Sequence, residues 1–287
     1  MNLEYVDIKS SKDLKEVIFF LENGFKWSKD KSNLLESKFP IINKHLDTYG
    51  IAIKADNNIV GAMLFFHQGY LNIGIEKKSI INMSGWYVLE KFRGLPTITL
   101  LRFMLERYNK YIITNFSAND IASKILLGVG FKKMKLKRAS LLLSDCILSF
   151  SKIKIRDVSK DSLRIEDDFE TSLDEGAGIR FLEAKIENNT INMIVKKRIL
   201  KRTLLGMKLN WRTASIIWSS DENLVAKYWK KISLKLLLHT KSMKLICDFS
   251  SDFPYKTKEK ENNYLFFSND SKLDHIWPIQ CEMNIFD

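Results

Sequence analysis

Long apolar runs are missing from this sequence. No stretch reaches the roughly 20 residues that a bilayer-spanning helix needs, so membrane insertion is not expected. The opening residues, Met1 to Asp7, lack the charged, apolar and cleavable regions of a signal peptide, which predicts a cytoplasmic protein. Cysteine is scarce: Cys146, Cys247 and Cys281 are far apart and form no Cys-x-x-Cys pair. That excludes a disulfide framework and a structural zinc site. The histidines, His45, His67, His239 and His275, are equally scattered, and no metal site is predicted. No sustained heptad pattern marks a coiled-coil arm.

What is present is a large apolar fraction and an excess of positive charge. A length of 287 residues predicts two domains, and 45% hydrophobic residues supply a sizeable core for them. The net charge is +12, and part of it is local. Lys132, Lys133, Lys135, Lys137 and Arg138 form one run, and Lys196, Lys197, Arg198, Lys201 and Arg202 form another. Such patches attract polyanions. No nucleic-acid-binding motif accompanies them, so nucleic acid is not expected; small polyphosphates would account for the same charge. Nothing in the sequence sets the oligomeric state.

The first half reads as a mixed sheet flanked by helices. Tyr5 to Ile8 is a short strand, and Ser10 caps a helix that runs to about Asn23. A second helix spans about Lys31 to Phe39, where Pro40 interrupts it. Strands at Gly50–Ala55 and Ile59–Phe66 are joined by a hairpin turn at Asp56-Asn57-Asn58. The strand Ile80 to Leu89 then enters the turn Glu90-Lys91-Phe92-Arg93-Gly94-Leu95-Pro96-Thr97. A helix follows with Ile98, Leu101, Leu105 and Tyr108 on one face, then a strand, Tyr111 to Phe116. Asn119 opens another helix, stopped by Gly130-Phe131, and a strand at Ala139–Cys146 would close the domain. A turn that runs straight into a helix offers backbone N–H groups at the positive end of the helix dipole, which suits a phosphate.

This order and its motifs resemble the GNAT superfamily of acyl-coenzyme A N-acyltransferases. The family pattern Val-x-x-x-x-Arg-Gly-x-Gly-x-Gly/Ala is met at Val88, Arg93 and Gly94, but Pro96 and Ile98 occupy its last two places. A second pattern, Asn-x-x-Ala-x-x-x-Tyr-x-x-x-Gly-Phe, is met at Asn119, Ala122, Gly130 and Phe131, with Leu126 in place of tyrosine. Together the matches cover roughly half the chain. The resemblance implies that Val88, Leu89, Arg93, Gly94, Leu95, Thr97, Ile98 and Asn119 contact coenzyme A. Proline has no N–H for a phosphate oxygen, so Pro96 implies a weaker or differently arranged pyrophosphate contact. The family tyrosine commonly protonates the departing thiolate, so Leu126 puts that acid in doubt. The backbone at Tyr87-Val88-Leu89 would polarise the thioester carbonyl. Tyr87, His67 and Glu90 are the candidate acid and base groups.

The second half repeats the layout. Strands at Phe181–Lys185 and Thr190–Lys197 flank the turn Glu187-Asn188-Asn189, and Arg212–Trp218 is a third. Ser219-Ser220-Asp221-Glu222 caps a long amphipathic helix, and Leu245–Phe249 returns as a strand. Acidic residues replace the Arg-Gly turn and would repel a pyrophosphate. The expected fold is therefore α/β, a tandem of GNAT-like domains. Residues 1–148 bind acyl-coenzyme A, and residues 149–287 form the acceptor wall. Asp248, Trp277 and Glu282 are the candidate acceptor contacts, with Tyr264, Phe266 and Phe267 as further aromatic candidates. Two-domain relatives of this kind acylate nucleotide-linked amino sugars for cell-surface polysaccharide, and the charge suits such an anionic acceptor. Two alternatives remain open: a Fem-type aminoacyl-tRNA-dependent transferase, and a non-catalytic binding protein.

Overall fold

The structure, a computed structural model, describes residues 2–73, 76–133, 137–146, 152–159, 162–163, 178–204, 207–249 and 265–268. Its framework is two sheets, each mixed and mostly antiparallel. In the first half the chain forms β1 (Leu3–Asp7), α1 (Ser11–Phe25), α2 (Lys29–Ile42), β2 (Gly50–Ala55), β3 (Asn58–Ile73) and β4 (Glu76–Val88). It continues with α3 (Leu95–Arg107), β5 (Ile112–Asn115), α4 (Asp120–Gly128), β6 (Lys132–Lys133) and β7 (Lys137–Leu142). The second half supplies β8 (Lys154–Asp157), β9 (Ile179–Ile186), β10 (Asn189–Leu204) and β11 (Met207–Ser219). After these come α5 (Glu222–Lys227), α6 (Trp229–Thr240), β12 (Lys244–Phe249) and β13 (Leu265–Phe267).

Local chemistry accounts for most element ends. The Ser10 hydroxyl accepts from the Asp13 N–H while the Asp13 carboxylate reaches back to Ser10, a capping box that opens α1. Asp56 and Asn57 both have positive φ, the backbone that a two-residue hairpin needs, so β2 and β3 turn back tightly. Three local readings are corrected. Pro40 does not stop α2; the helix runs on to Ile42, and the Asn43 N–H closes it on the Phe39 carbonyl. The buried face of α3 is Thr97, Leu100, Leu101 and Met104, with Ile98 and Leu105 at its margins. The long helix of the second half is two helices, broken at Tyr228.

The first sheet runs β1-β2-β3-β4-β5-β13-β6, and the second runs β7-β12-β11-β10-β9-β8. Read from β1 and from β8, the two orders correspond over six places, with β6 a seventh strand of the first sheet, and β3 and β10 have 16 residues each while β4 and β11 have 13 each. The sixth place of each sheet is filled from the other half. The strand expected to close the first domain, β7, pairs instead with β12, where Ala139 and Leu141 meet the core of α5 and α6. In exchange β13 inserts between β5 and β6, with Leu265 and Phe266 buried.

The first sheet is covered on both faces. Even-numbered β3 residues Ala62, Leu64 and Phe66 pack with α1 and α2, while Met63 and Phe65 pack with α3 and α4. Each fully buried Leu, Met or Phe here contributes about 1.5–3 kcal/mol. Leu126, in the tyrosine place of the motif, is one of these core residues.

Candidate active site

Two adjacent parallel strands part company at the centre of the first sheet. β4 and β5 pair only at Ile80, Ile81 and Asn82 with Ile112, Ile113 and Thr114. Past Asn82, no strand among the described residues pairs with β4 on that side. On its other side β4 carries a bulge: Ala62 faces Tyr87 and Leu64 faces Ser84, so β4 has one residue more than β3 between them. Gly85 takes the positive φ this requires. The bulge reverses which face each side chain takes, so Tyr87 turns to α1 while Val88 stays with α3. The result is a gap between β4 and β5 beyond Asn82, open at the carboxyl ends of two parallel strands. In open α/β sheets that is where ligands bind.

The mouth of the gap leads to the start of α3. A single helical turn, Glu90–Phe92, follows β4, and the Arg93 Nε donates to the Val88 carbonyl at 3.1 Å. Gly94 then sits at φ 98° as the N-cap, with open space where a Cβ would go. The helices α1, α2, α4 and α5 are each capped by a side chain, from Ser10, Ser28, Asn119 and Asp221. α3 has no side-chain cap and no acidic residue in its first turn. Its first intrahelical bond is Ile98 N–H to the Gly94 carbonyl. The N–H groups of Gly94, Leu95 and Thr97 therefore precede the ladder, and Pro96 contributes none. The Thr97 hydroxyl is buried and has no hydrogen-bond partner. Such a turn can hold an anion.

The predicted residues divide between this mouth and elsewhere. Tyr87, Val88, Leu89, Glu90, Arg93, Gly94, Leu95, Thr97 and Ile98 lie on β4, the turn and the first turn of α3. Glu90 is exposed there, and Tyr87 is half-buried against Phe20 and Phe25, at 5.7 and 5.3 Å between ring centres. Asn119 caps α4, its Oδ1 accepting from Ala122 at 2.8 Å. His67 lies apart, its strand partner being Ile81, six residues before Tyr87. At about 3.3 Å per residue that is roughly 20 Å along the strand. The His67 ring is buried, with Nε2 2.9 Å from the Ser79 hydroxyl.

Asp248 is engaged in structure. Its carboxylate takes a two-pronged contact from Arg138, at 2.7 Å from Nε and 2.8 Å from Nη2, between β12 and β7. Phe266 is buried, and Phe267 packs on Phe131 at 5.7 Å between ring centres. Tyr264, Trp277 and Glu282 lie outside the described residues.

Sequence reasoning missed a polar group at the closed end of the gap. Gln68, Asn82 and Thr114 are all buried, and the Thr114 hydroxyl is 3.2 Å from both the Gln68 Oε1 and the Asn82 Oδ1. The Gln68 Nε2 has no partner. Asn82 and Thr114 form the last pair of the β4–β5 ladder. The only hint in the sequence is polar residues inside otherwise apolar strands.

No protein-family model matches this sequence, and no curated protein matches it. Solved structures do. A GCN5-related N-acetyltransferase from Anabaena variabilis superimposes with a TM-score of 0.62 at 11% identity, over 92% of this chain and 72% of its own. One from Kribbella flavida gives 0.60 at 13% identity, over 92% and 70%. The chain has the fold of the GCN5-related N-acetyltransferases. The likeness spans both sheets. A probable N-acyltransferase from Enterococcus faecalis gives 0.59 at 10% identity, over 93% of this chain and 72% of that one.

Proposed function

We propose that this chain is an N-acyltransferase that takes its acyl group from acyl-coenzyme A. One observation carries the reading: β4 separates from β5 after Asn82, and the part of β4 beyond that point leads to the uncapped first turn of α3. The acyl-pantetheine arm would lie along β4 beyond Asn82, where β5 no longer pairs with it, as an added strand lies along a sheet edge. Backbone N–H groups near the bulge would polarise the thioester carbonyl. The pyrophosphate would rest on Gly94, Leu95 and Thr97, with Arg93 and Ile98 beside it. Asn119 would border the same space from the start of α4.

In this proposal the chain forms tandem GNAT-like domains that meet near residue 148 and exchange β7 and β13 across that boundary, and the second does not hold coenzyme A. The equivalent helix, α5, starts with Asp221 and Glu222, and the Asp221 carboxylate caps its own Leu224 N–H. The second domain would form the acceptor side, and a nucleotide-linked amino sugar suits the positive charge. Tyr87 and Glu90, both at the mouth, are the proposed proton carriers.

The test has two readouts on the full chain. Coenzyme A should raise the melting temperature, because a ligand bound only by the folded state stabilises it. Acetyl-coenzyme A with amino-sugar nucleotides should release free thiol. No thermal response at millimolar coenzyme A would overturn the donor assignment; a response without thiol release would remove the amino-sugar acceptor.

A further inference from the structure

Two adjoining hollows run between α6 and the β8–β9 edge of the second sheet. They measure about 650 and 800 Å³ and share Ile153, Lys235 and Leu238. Their lining carries six lysine and arginine side chains against two carboxylates. Both carboxylates are engaged: Glu183 takes Arg156 at 2.9 and 3.1 Å, and Glu187 accepts from the Tyr228 hydroxyl at 3.1 Å.

Like charges face each other on both walls. Lys154 stands directly opposite Lys185 in the antiparallel β8–β9 ladder, a like-charge pairing that disfavours the ladder and that Glu183, 3.9 Å from the Lys185 Nζ and shared with Arg156, offsets only in part. Lys231 and Lys235 are four residues apart on α6, the spacing at which like charges also repel. The floor between them is aliphatic, with Ile153 buried and Leu238 56% exposed. An anionic occupant would relieve both repulsions.

The occupant must match an apolar floor as well as charged walls. Single-stranded nucleic acid needs aromatic platforms for its bases. Two aromatic rings stand in the described lining, and both are engaged: the ammonium groups of Lys227 and Lys231 lie 5.2 and 5.8 Å from the Tyr228 ring centre, and the His239 Nε2 lies 2.9 Å from the Asp157 carboxylate. An amphipathic helix meets both demands, with apolar residues on the floor and carboxylates to each wall. We propose that this groove docks an acidic amphipathic helix of a protein partner.

A fluorescent peptide with leucine at i, i+3, i+4 and i+7 and glutamate elsewhere probes the groove by anisotropy on the full chain. Comparison probes are the same composition scrambled, an oligothymidylate, and phosphatidylserine vesicles. The patterned peptide should bind most tightly and weaken as salt is raised. Lys231→Glu with Lys235→Glu should weaken it by roughly tenfold or more, and so should Leu238→Asp. Lys154→Glu, on the other wall, should weaken it without lowering the melting temperature, because it removes the repulsion with Lys185. Equal binding of the scrambled peptide, tighter binding of oligothymidylate or vesicles, or no binding would each overturn the proposal. None of these results depends on whether the chain transfers an acyl group.

Discussion

Arg138 on β7 holds Asp248 on β12 through two parallel hydrogen bonds, and these two strands come from opposite halves of the sequence. The pair ties down the exchanged strand. With 27% and 13% of the two side chains exposed, the contact is largely shielded from water. Removing one partner leaves the other charge partly buried without this two-pronged contact. Arg138→Ala or Asp248→Ala should each cost about 1–3 kcal/mol in denaturant unfolding. The double variant should cost less than the sum of the two. Strict additivity would show that the pair is not coupled.

The Tyr87 ring lies on Gly24 of α1. A Cβ built at Gly24 would fall 2.5 Å from Cε1 of that ring, which Phe20 and Phe25 hold in place. Glycine within a helix ordinarily costs about 1 kcal/mol relative to alanine. Here the sign should reverse: Gly24→Ala should destabilise by about 1–2 kcal/mol. In a Tyr87→Leu background the same change should become neutral or stabilising. Thermal melts of the four proteins decide it; stabilisation by Gly24→Ala alone would show that the ring moves away freely.

Much of this architecture could be read locally. Ser10 and Asp13, Asp56-Asn57, Asn119 and Asp221 announce their turns through side chains within three residues, and each does what its local chemistry dictates. The Arg93-Gly94 turn was legible for the same reason. What failed depends on distant partners. β7 joins the second sheet because β12 lies open to it, a pairing across 110 residues for Arg138 and Asp248 that no local pattern encodes. That same pairing gives Asp248, the candidate acceptor contact, an ion-pair partner that its own neighbourhood in the sequence does not announce. The face of α3 was legible in part: Leu101 and Tyr108 are buried and Leu105 packs against the core, while Ile98 borders the stripe that Thr97, Leu100 and Met104 complete. Gln68, Asn82 and Thr114 could not be grouped until β3, β4 and β5 were set side by side.

The thiol of Cys146 is held protonated. Burial, with a smaller effect from the Asp145 carboxylate, pushes it up to about 11 from an ordinary 9.0. Cys247 is raised in the same direction, again chiefly by burial. Both should resist alkylation at pH 8 in the native protein and react once it is unfolded. The linkage has a definite sign. Between about pH 9 and pH 11 the unfolded chain gives up thiol protons that the folded chain keeps, so stability should fall as pH rises through that window. Cys146→Ala should flatten the fall. Fast labelling of either cysteine in the native state would contradict the burial.

Thr97 separates ligand binding from folding at the start of α3. Its hydroxyl is buried without a partner, an arrangement that costs the free protein stability. Thr97→Val keeps the shape and removes the unsatisfied group, so the melting temperature without ligand should hold or rise. A phosphate oxygen at this turn would give that hydroxyl an ionised acceptor, a bond of about 1.5–3 kcal/mol. Coenzyme A should then bind the variant roughly tenfold or more weakly. Opposite signs for the free and the liganded protein are the expected result, measured by calorimetry at fixed salt. If Thr97→Val lowered the free protein's melting temperature and left coenzyme A affinity intact, the hydroxyl would be a packing group and the anion would have to sit elsewhere.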